Sequence, residues 1–186
     1  MAPMKLMRPR VSYADLERAP EDGRRYELYD GEVFVVPSPI PRHQIVAQNL
    51  SHLFDAYAAE GGGLAIISPI DIVFSEYDVV QPDVVFFMPS RRHLVQLDAP
   101  IRQPPDLAIE VLSPSTAATD RGKKMQMFAR YRVREYWIVD PGAESIEIYT
   151  LAQGAYELVR TVIAADQVHS PLLPGLVFPA SKIFPA

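Results

Sequence analysis

Two acidic residues of this chain interrupt apolar segments that are typical of β-strands. Glu110 is the one charged residue in the run Leu107–Leu112, and Asp83 opens the run Asp83–Met88. A carboxylate buried in such a strand is costly unless a partner or a cation compensates it. If the two strands are neighbours in one sheet, the carboxylates form a site for Mg²⁺, which prefers oxygen ligands and retains several waters. An ion pair with an arginine is the alternative for Glu110.

A lysine follows in the next predicted helix, which runs from about Ala117 to Tyr131. Lys124 lies four residues before Phe128, and it therefore stands at the edge of the apolar stripe of that helix. This position makes Lys124 a candidate functional cation. A surface ion pair with Asp120, four residues earlier, is the alternative reading. Lys123, one residue round the helix, is the competing candidate.

The same region is rich in basic residues. The pattern indicates either a solvated helix face or a local rim that binds phosphate groups. The residues concerned are Arg121, Lys123, Lys124, Arg130, Arg132 and Arg134, with Arg91, Arg92 and His93 as an extension.

Two further residues are weaker candidates for a role in the same site. Glu27 lies in a predicted hairpin beside Asp30, and His43 lies at the start of a predicted helix. A lone histidine is more often structural than catalytic, so neither residue defines a site by itself.

Length and composition exclude several classes of protein. A chain of 186 residues predicts one domain, residues 1–186, in which residues 1–10 form a loose, basic lead-in. No cysteine is present, which excludes disulfides, thiolate nucleophiles and cysteine-bound zinc, and is typical of a reducing cytoplasm. We expect no membrane span and no secretory signal. The net charge of −5 argues against a general nucleic-acid coat, but a local basic groove remains compatible with it.

The order of predicted elements indicates an α/β (α+β) fold, a mixed central β-sheet flanked by helices. An Asp30-Gly31 turn predicts a hairpin, and a second hairpin is expected across Gln153-Gly154. The other expected elements are helices at Tyr13–Arg18, His43–Glu60 and Ala117–Tyr131, strands at Leu64–Phe74 (interrupted by Pro69), Asp83–Met88, Leu107–Leu112 and Glu135–Val139, a polar connector at Pro89–Pro105 and an irregular closing segment at Pro171–Pro185.

Several motifs occur in an order that resembles a known family over nearly the whole chain. The most specific are Glu-Val-Leu-Ser-Pro-Ser from Glu110 and Glu-Tyr-Trp-Ile-Val-Asp-Pro from Glu135. Together with Tyr-Glu-Leu-Tyr-Asp-Gly from Tyr26 and Pro-Asp-Val-Val from Pro82, they resemble the Uma-two family of bacterial restriction endonucleases. That family belongs to the PD-(D/E)XK nuclease superfamily, so the resemblance implies a restriction-endonuclease-like core.

The resemblance also implies roles for individual residues. Asp83 matches the aspartate of the Pro-Asp motif, and Glu110 matches the second acidic residue. Leu112 occupies the usual place of the lysine, and Lys124 on the following helix matches the displaced lysine of this family. Glu27 matches an acidic position near the metal.

One departure from the family pattern concerns the end of the lysine-bearing helix. Arg132-Val133 stands where the family has Gly-Val. Glycine normally tolerates the left-handed backbone at a helix C-terminus, so Arg132 is expected to alter this cap without touching the metal site.

The expected activity is Mg²⁺-dependent hydrolysis of nucleic-acid phosphodiesters, with Mn²⁺ as a substitute and DNA as the expected polymer. Asp83, Glu110 and the backbone carbonyl of Val111 would hold the metal, and Lys124 would orient water or stabilise charge. His43 and Lys123 are auxiliary candidates. A cytoplasmic homodimer is expected. The alternatives are a non-catalytic nucleic-acid-binding or interaction domain that retains the fold, and a nuclease-fold enzyme that acts on another phosphodiester or nucleotide.

Overall fold

A computed structural model describes residues 9–185, which form a mixed α+β fold around a six-stranded sheet. The helices are α1 (Tyr13–Arg18), α2 (Pro41–Gly61), α3 (Ala117–Thr119) and α4 (Met125–Arg130), with a π-helical turn at Asp120–Lys124 and 3₁₀ turns at Pro89–Leu94 and Ala180–Lys182. The strands are β1 (Arg25–Tyr29), β2 (Glu32–Val36), β3 (Leu64–Ile67), β4 (Ile72–Val73), β5 (Val79–Val80), β6 (Val84–Phe87), β7 (Leu107–Val111), β8 (Glu135–Asp140), β9 (Ser145–Ala152), β10 (Ala155–Ile163), β11 (Gln167–His169) and β12 (Val177–Pro179).

The six-stranded sheet has the order β10-β9-β8-β7-β6-β3, and β7 pairs in parallel with β8 and antiparallel with β6. All five residues of β7 are buried, because helices cover both faces of the sheet. Leu107, Ile109 and Val111 pack in the core under α2. Side chains alternate along a strand, so Glu110 points to the opposite face, where the core includes Phe128 of α4.

A smaller sheet with the order β2-β1-β5-β4 stands beside this face. Its β1–β2 hairpin turns at Asp30 and Gly31, with φ of 54° and 80°, which confirms the turn predicted from that dipeptide. Arg10, the last residue of the predicted lead-in, contacts this region: its Nε donates to the Asp30 carbonyl oxygen at 3.0 Å, and its guanidinium lies 3.9 Å from the Tyr77 ring centroid. Residues 1–8 of that lead-in lie outside the described residues.

The predicted helix over Ala117–Tyr131 is present but is not a continuous α-helix. The π-helical turn interrupts it, and α4 ends one residue before Tyr131. Arg132 then adopts the left-handed conformation, with φ of 64°. In this geometry the Val133 N–H donates to the Phe128 carbonyl oxygen at 3.0 Å, which closes the helix end.

Two other predictions need correction. The connector Pro89–Pro105 contains a 3₁₀ turn at Pro89–Leu94, and the closing segment contributes β12 and a second 3₁₀ turn. Both short elements lack the periodicity by which longer helices and strands are recognised. Within residues 9–185, no helix has the length and hydropathy needed to cross a membrane.

Candidate active site

The two predicted carboxylates meet at one end of the sheet. Strands β6 and β7 are antiparallel neighbours in which Val84 faces Ile109. If this register continues by one residue, Asp83 stands opposite Glu110. Directly opposed residues of an antiparallel pair point to the same face, so the expectation that neighbouring strands bring the two carboxylates together is met.

Lys124 reaches this pair from the π-helical turn. Its Nζ lies 2.9 Å from Glu110 Oε2, 3.2 Å from Glu27 Oε1 and 3.4 Å from Asp120 Oδ1. The Lys124 side chain is only 6% exposed, so the reading of Lys124 as part of a surface ion pair is wrong, although Asp120 is one of its partners. The partner of Glu110 is this lysine and not an arginine.

The hairpin β1–β2 supplies the third acidic residue and holds it by hydrogen bonds. Tyr29 Oη donates to Glu27 Oε2 at 2.6 Å, and the backbone N–H of Gln81 donates to Glu27 Oε1 at 2.8 Å. The Gln81 side chain in turn donates to Asp71 Oδ1 at 2.7 Å. Glu27 therefore faces Lys124 from a fixed position.

Asp83 is positioned by two donors at the same oxygen. The backbone N–H of Val111 donates to Asp83 Oδ2 at 2.7 Å, and His43 Nε2 lies 3.2 Å from the same atom. Burial alone would lower the pKa of His43, but the hydrogen bond and charge of Asp83 raise it on balance. These contacts leave Asp83 Oδ1 available to another partner.

The buried cluster carries more negative than positive charge. Four carboxylates, of Glu27, Asp83, Glu110 and Asp120, face one ammonium and one imidazole. Burial raises the pKa of Glu110 well above its usual range, although Lys124 opposes this effect. Burial likewise raises the pKa of Asp120. Such a cluster favours uptake of a proton or a metal cation.

Lys124 itself remains charged. Burial would lower its pKa, but the carboxylates of Glu110 and Glu27 raise it well above the usual lysine value. The ammonium is thus a fixed positive charge at neutral pH and not a proton acceptor.

The donor set fits a divalent cation of the Mg²⁺ type. Glu110 Oε1 is buried and has no hydrogen-bond partner within the described residues, and carboxylate oxygens are the ligands that Mg²⁺ prefers. No group of three or more histidine, aspartate or glutamate side chains within residues 9–185 has an arrangement for a metal. A site here would therefore rest on two carboxylates, a backbone carbonyl and water.

These residues open into a cavity of about 170 Å³. Its rim is polar on one side, where Ser113 Oγ lies 3.0 Å from both Ser115 Oγ and Thr116 Oγ1. Its other side is formed by the segment between β2 and α2, which includes Pro39 and Ile40. Glu110 and Lys124 both line this cavity.

The other basic residues predicted to contact phosphate lie elsewhere or are paired. Arg91 binds the buried Asp106 at 3.0 Å, and with Arg92 it occupies the 3₁₀ turn beyond the far end of β6. The structure therefore does not bring Arg91 and Arg92 to the site.

Two basic residues on the π-helical turn are closer to the site, but their charges are engaged. Arg121 forms a salt bridge with Glu147. Lys123 Nζ lies 3.0 Å from Glu32 Oε2 and 4.1 Å from the ring centroid of Phe34. Lys123 therefore points away from Glu110, to the hairpin.

Sequence reasoning missed two members of the cluster. The sequence pattern predicts Asp120 only as an ion-pair partner of Lys124, and it predicts no role for Gln81. The spacing of Asp120 and Lys124 was the available signal, because residues four apart share a helix face. Nothing in the local sequence marks Gln81, whose role follows from the pairing of β1 with β5, the strand that directly precedes Gln81.

Comparisons with known proteins show which family this chain matches and which solved structure shares its fold. The model of the Uma2 family, described as "Putative restriction endonuclease", matches residues 12–181. An uncharacterized protein of Synechocystis sp. is 27% identical over 165 residues, which cover 86% of this chain and 83% of that protein. A crystal structure from Anabaena variabilis, of a "putative nuclease belonging to DUF820", is 19% identical with a TM-score of 0.76, and the match covers 94% of this chain and 97% of that one.

The structural likeness shows a shared fold, and the family match establishes membership. The matched residues include the hairpin, both acidic strands and the lysine-bearing turn. The resemblance identified from the motifs is thereby confirmed, and the chain belongs to the Uma2 family of restriction endonuclease-like proteins.

Proposed function

We propose that the chain is a metal-dependent endonuclease that hydrolyses phosphodiester bonds of nucleic acid, with DNA as the expected substrate. The observation that carries the proposal is the 2.9 Å contact between Lys124 Nζ and Glu110 Oε2, beside the strand end that bears Asp83. Two carboxylates and one ammonium at a cavity floor are the groups that metal-assisted phosphodiester hydrolysis requires.

Asp83, Glu110 and the Val111 carbonyl are the groups that would hold Mg²⁺ or Mn²⁺. When bound, such a cation lowers the pKa of a water and offsets negative charge on the phosphate. The protein groups have distinct tasks: His43 and the Val111 N–H hold Asp83, and Glu27 holds Lys124. The Lys124 ammonium would orient the attacking water or stabilise the charge that develops on the phosphate.

A non-catalytic nucleic-acid-binding domain is the second candidate. The observation that favours it is the position of the Lys124 ammonium among Glu27, Glu110 and Asp120, because the lysine occupies a place beside Glu110 and offsets part of the negative charge that a metal would otherwise neutralise. Metal binding separates the two candidates: an active nuclease binds Mn²⁺ through Asp83 and Glu110, and a binding module does not.

The test is a cleavage screen with single- and double-stranded DNA and RNA, in Mg²⁺ and in Mn²⁺. We expect the wild-type protein to cleave at least one of these polymers, EDTA to stop the reaction, and Glu110→Gln to be inactive. Mn²⁺ titration by calorimetry should show binding to wild type and loss of binding in Glu110→Gln. Cleavage that persists in Glu110→Gln would identify a contaminant, and absence of both cleavage and Mn²⁺ binding in wild type would refute the proposal.

A further inference from the structure

Two arginines near the cavity are held by neutral acceptors instead of carboxylates. Arg25, half-buried at the start of β1, donates to Ser68 Oγ at 3.3 Å and to the Pro37 carbonyl oxygen at 3.2 Å. Arg42, exposed in the first turn of α2, donates to the Pro141 carbonyl oxygen at 3.2 Å. Among the described residues, neither guanidinium forms a salt bridge with a carboxylate. Neither positive charge is therefore compensated by a carboxylate contact within the described residues.

The anchors of these arginines flank the acidic pair. Ser68 directly follows β3, and its N–H donates to the Asp83 carbonyl oxygen at 2.9 Å. Pro141 directly follows β8, the other neighbour of β7. The strand order β3-β6-β7-β8 separates the two anchors by three strand spacings, roughly 14 Å. One arginine thus stands on each side of the strands that carry Asp83 and Glu110.

The hydrogen-bonding capacity of the two arginines also favours a phosphate ligand. A guanidinium has five N–H donors, and within residues 9–185 Arg25 uses two of them while Arg42 uses one. Free donors on an uncompensated guanidinium suit a phosphate group, which accepts charge-assisted hydrogen bonds. Arg121 and Lys123 differ in this respect, because their charges already face Glu147 and Glu32.

A polyanionic substrate also needs such a pair of cations. It would approach a cavity lined by the carboxylates of Asp83, Glu110 and Asp120, in a chain with a net charge of −5. Without positive groups at the opening, like charges would oppose binding. Arg25 lines the cavity itself, and Arg42 precedes His43, which contacts Asp83.

On the basis of the proposed nuclease function, we propose that Arg25 and Arg42 bind backbone phosphates of the nucleic acid on either side of the bond that is cut. Because their anchors are roughly 14 Å apart, the two arginines contact different phosphates and hold the intervening phosphodiester over Asp83 and Glu110. The ligand chemistry is the phosphodiester backbone, which DNA and RNA share.

The test measures binding of fluorescein-labelled DNA and RNA oligonucleotides to Glu110→Gln protein by fluorescence anisotropy over a series of salt concentrations. We expect Arg25→Ala and Arg42→Ala in this background to weaken binding about tenfold each, as loss of a charge-assisted hydrogen bond does. Each should also lower the slope of log affinity against log salt by about 0.7–0.9, the value of one phosphate contact. Arg160→Ala is the matched control, since Arg160 is exposed on β10, three strands from β7, and should change neither quantity.

Arg25→Lys and Arg42→Lys separate charge from structure, because they keep the positive charge and should largely retain the slope. If Arg25→Ala and Arg42→Ala bind like the parent, or if Arg160→Ala loses as much, the inference is wrong. It is also wrong if the parent binds no oligonucleotide. If binding depends on the two arginines but the wild-type protein cleaves no nucleic acid, phosphate binding by the arginines is supported and the proposed nuclease function is refuted. Cleavage with an unchanged KM in both alanine variants would support the nuclease function and refute the role of the two arginines.

Discussion

At the residue scale, the site is defined by one ammonium shared among several buried carboxylates. Lys124 contacts Glu110, Glu27 and Asp120 at 2.9–3.4 Å, yet one positive charge cannot balance three negative ones. The excess negative charge adds to the rise that burial causes in the pKa of Glu110 and of Asp120. This excess negative charge also favours the binding of a divalent cation.

Removal of one of these charges should stabilise the metal-free protein. The pKa of Glu110 is higher in the folded chain than the value of 4.5 for a free glutamate. Unfolding therefore releases a proton from Glu110 above pH 4.5, and the stability that Glu110 contributes falls as pH rises through its raised pKa. We expect Glu110→Gln to raise Tm in EDTA at pH 8, by about 2–4 °C for each kcal/mol relieved, and to change it least below pH 4.5.

Glu147→Gln is the matched control for this experiment. Burial would raise the pKa of Glu147, but its hydrogen bonds from Arg121 and Tyr149 lower it on balance. Its stabilising contribution is therefore present above the unfolded pKa and is lost as pH falls. Glu147→Gln should lower Tm at pH 8. A drop in Tm for Glu110→Gln as well would mean that Glu110 serves as a structural ion pair.

At the element scale, the parts predicted correctly are those with strong local signals. The Asp30-Gly31 turn and the apolar runs of β6 and β7 follow from residue preferences and patterning. The metal site of Asp83 and Glu110 is predicted from the two strands themselves, and the family resemblance adds the role of Lys124 as the displaced lysine. The structure brings Glu110 and Lys124 into contact because β7 and the π-helical turn are packed face to face.

The parts that were not predicted depend on tertiary packing. The π-helical turn does not change the apolar stripe of the helix, so the pattern does not predict it. One contact of this turn comes from a distant strand, because the Tyr136 hydroxyl of β8 donates to the Asp120 carbonyl oxygen at 3.0 Å. The position of Arg91 depends on the path of the connector Pro89–Pro105, which the sequence pattern does not predict. Its partner Asp106 immediately precedes β7, at the end of that strand away from Glu110.

The helix end at Arg132 offers a direct test of backbone strain. A non-glycine residue in the left-handed region costs roughly 1–2 kcal/mol, and Arg132 has φ of 64°. Arg132→Gly should therefore raise Tm by a few degrees, measured by calorimetry, without any effect on cleavage.

Arg160→Gly serves as the control for that substitution. Residue 160 lies inside β10, where glycine lowers stability through its backbone entropy. An Arg132→Gly protein that melts at or below the Tm of wild type would show that the left-handed turn carries no strain.

At the scale of the whole molecule, we propose that the protein is a homodimer. If both strands of a duplex are cut in one binding event, two active sites are needed, and one chain carries one copy of the proposed site. Light scattering coupled to gel filtration should give a mass of twice 20.8 kDa. A mass of 20.8 kDa at micromolar concentration would contradict the dimer and would favour a substrate that is cut once.

We propose that Lys124 completes a nuclease centre from a helix, in place of the strand position that Leu112 occupies. The most direct measurement compares the cleavage rates of Lys124→Ala and Lys123→Ala in Mg²⁺, with the fold of each checked by circular dichroism. We expect Lys124→Ala to lose about 10²–10³-fold in rate, as loss of one charge-stabilising group does, and Lys123→Ala to cleave at nearly the wild-type rate, because its ammonium faces Glu32. A Lys124→Ala protein that cleaves like wild type would show that Lys124 has no part in catalysis.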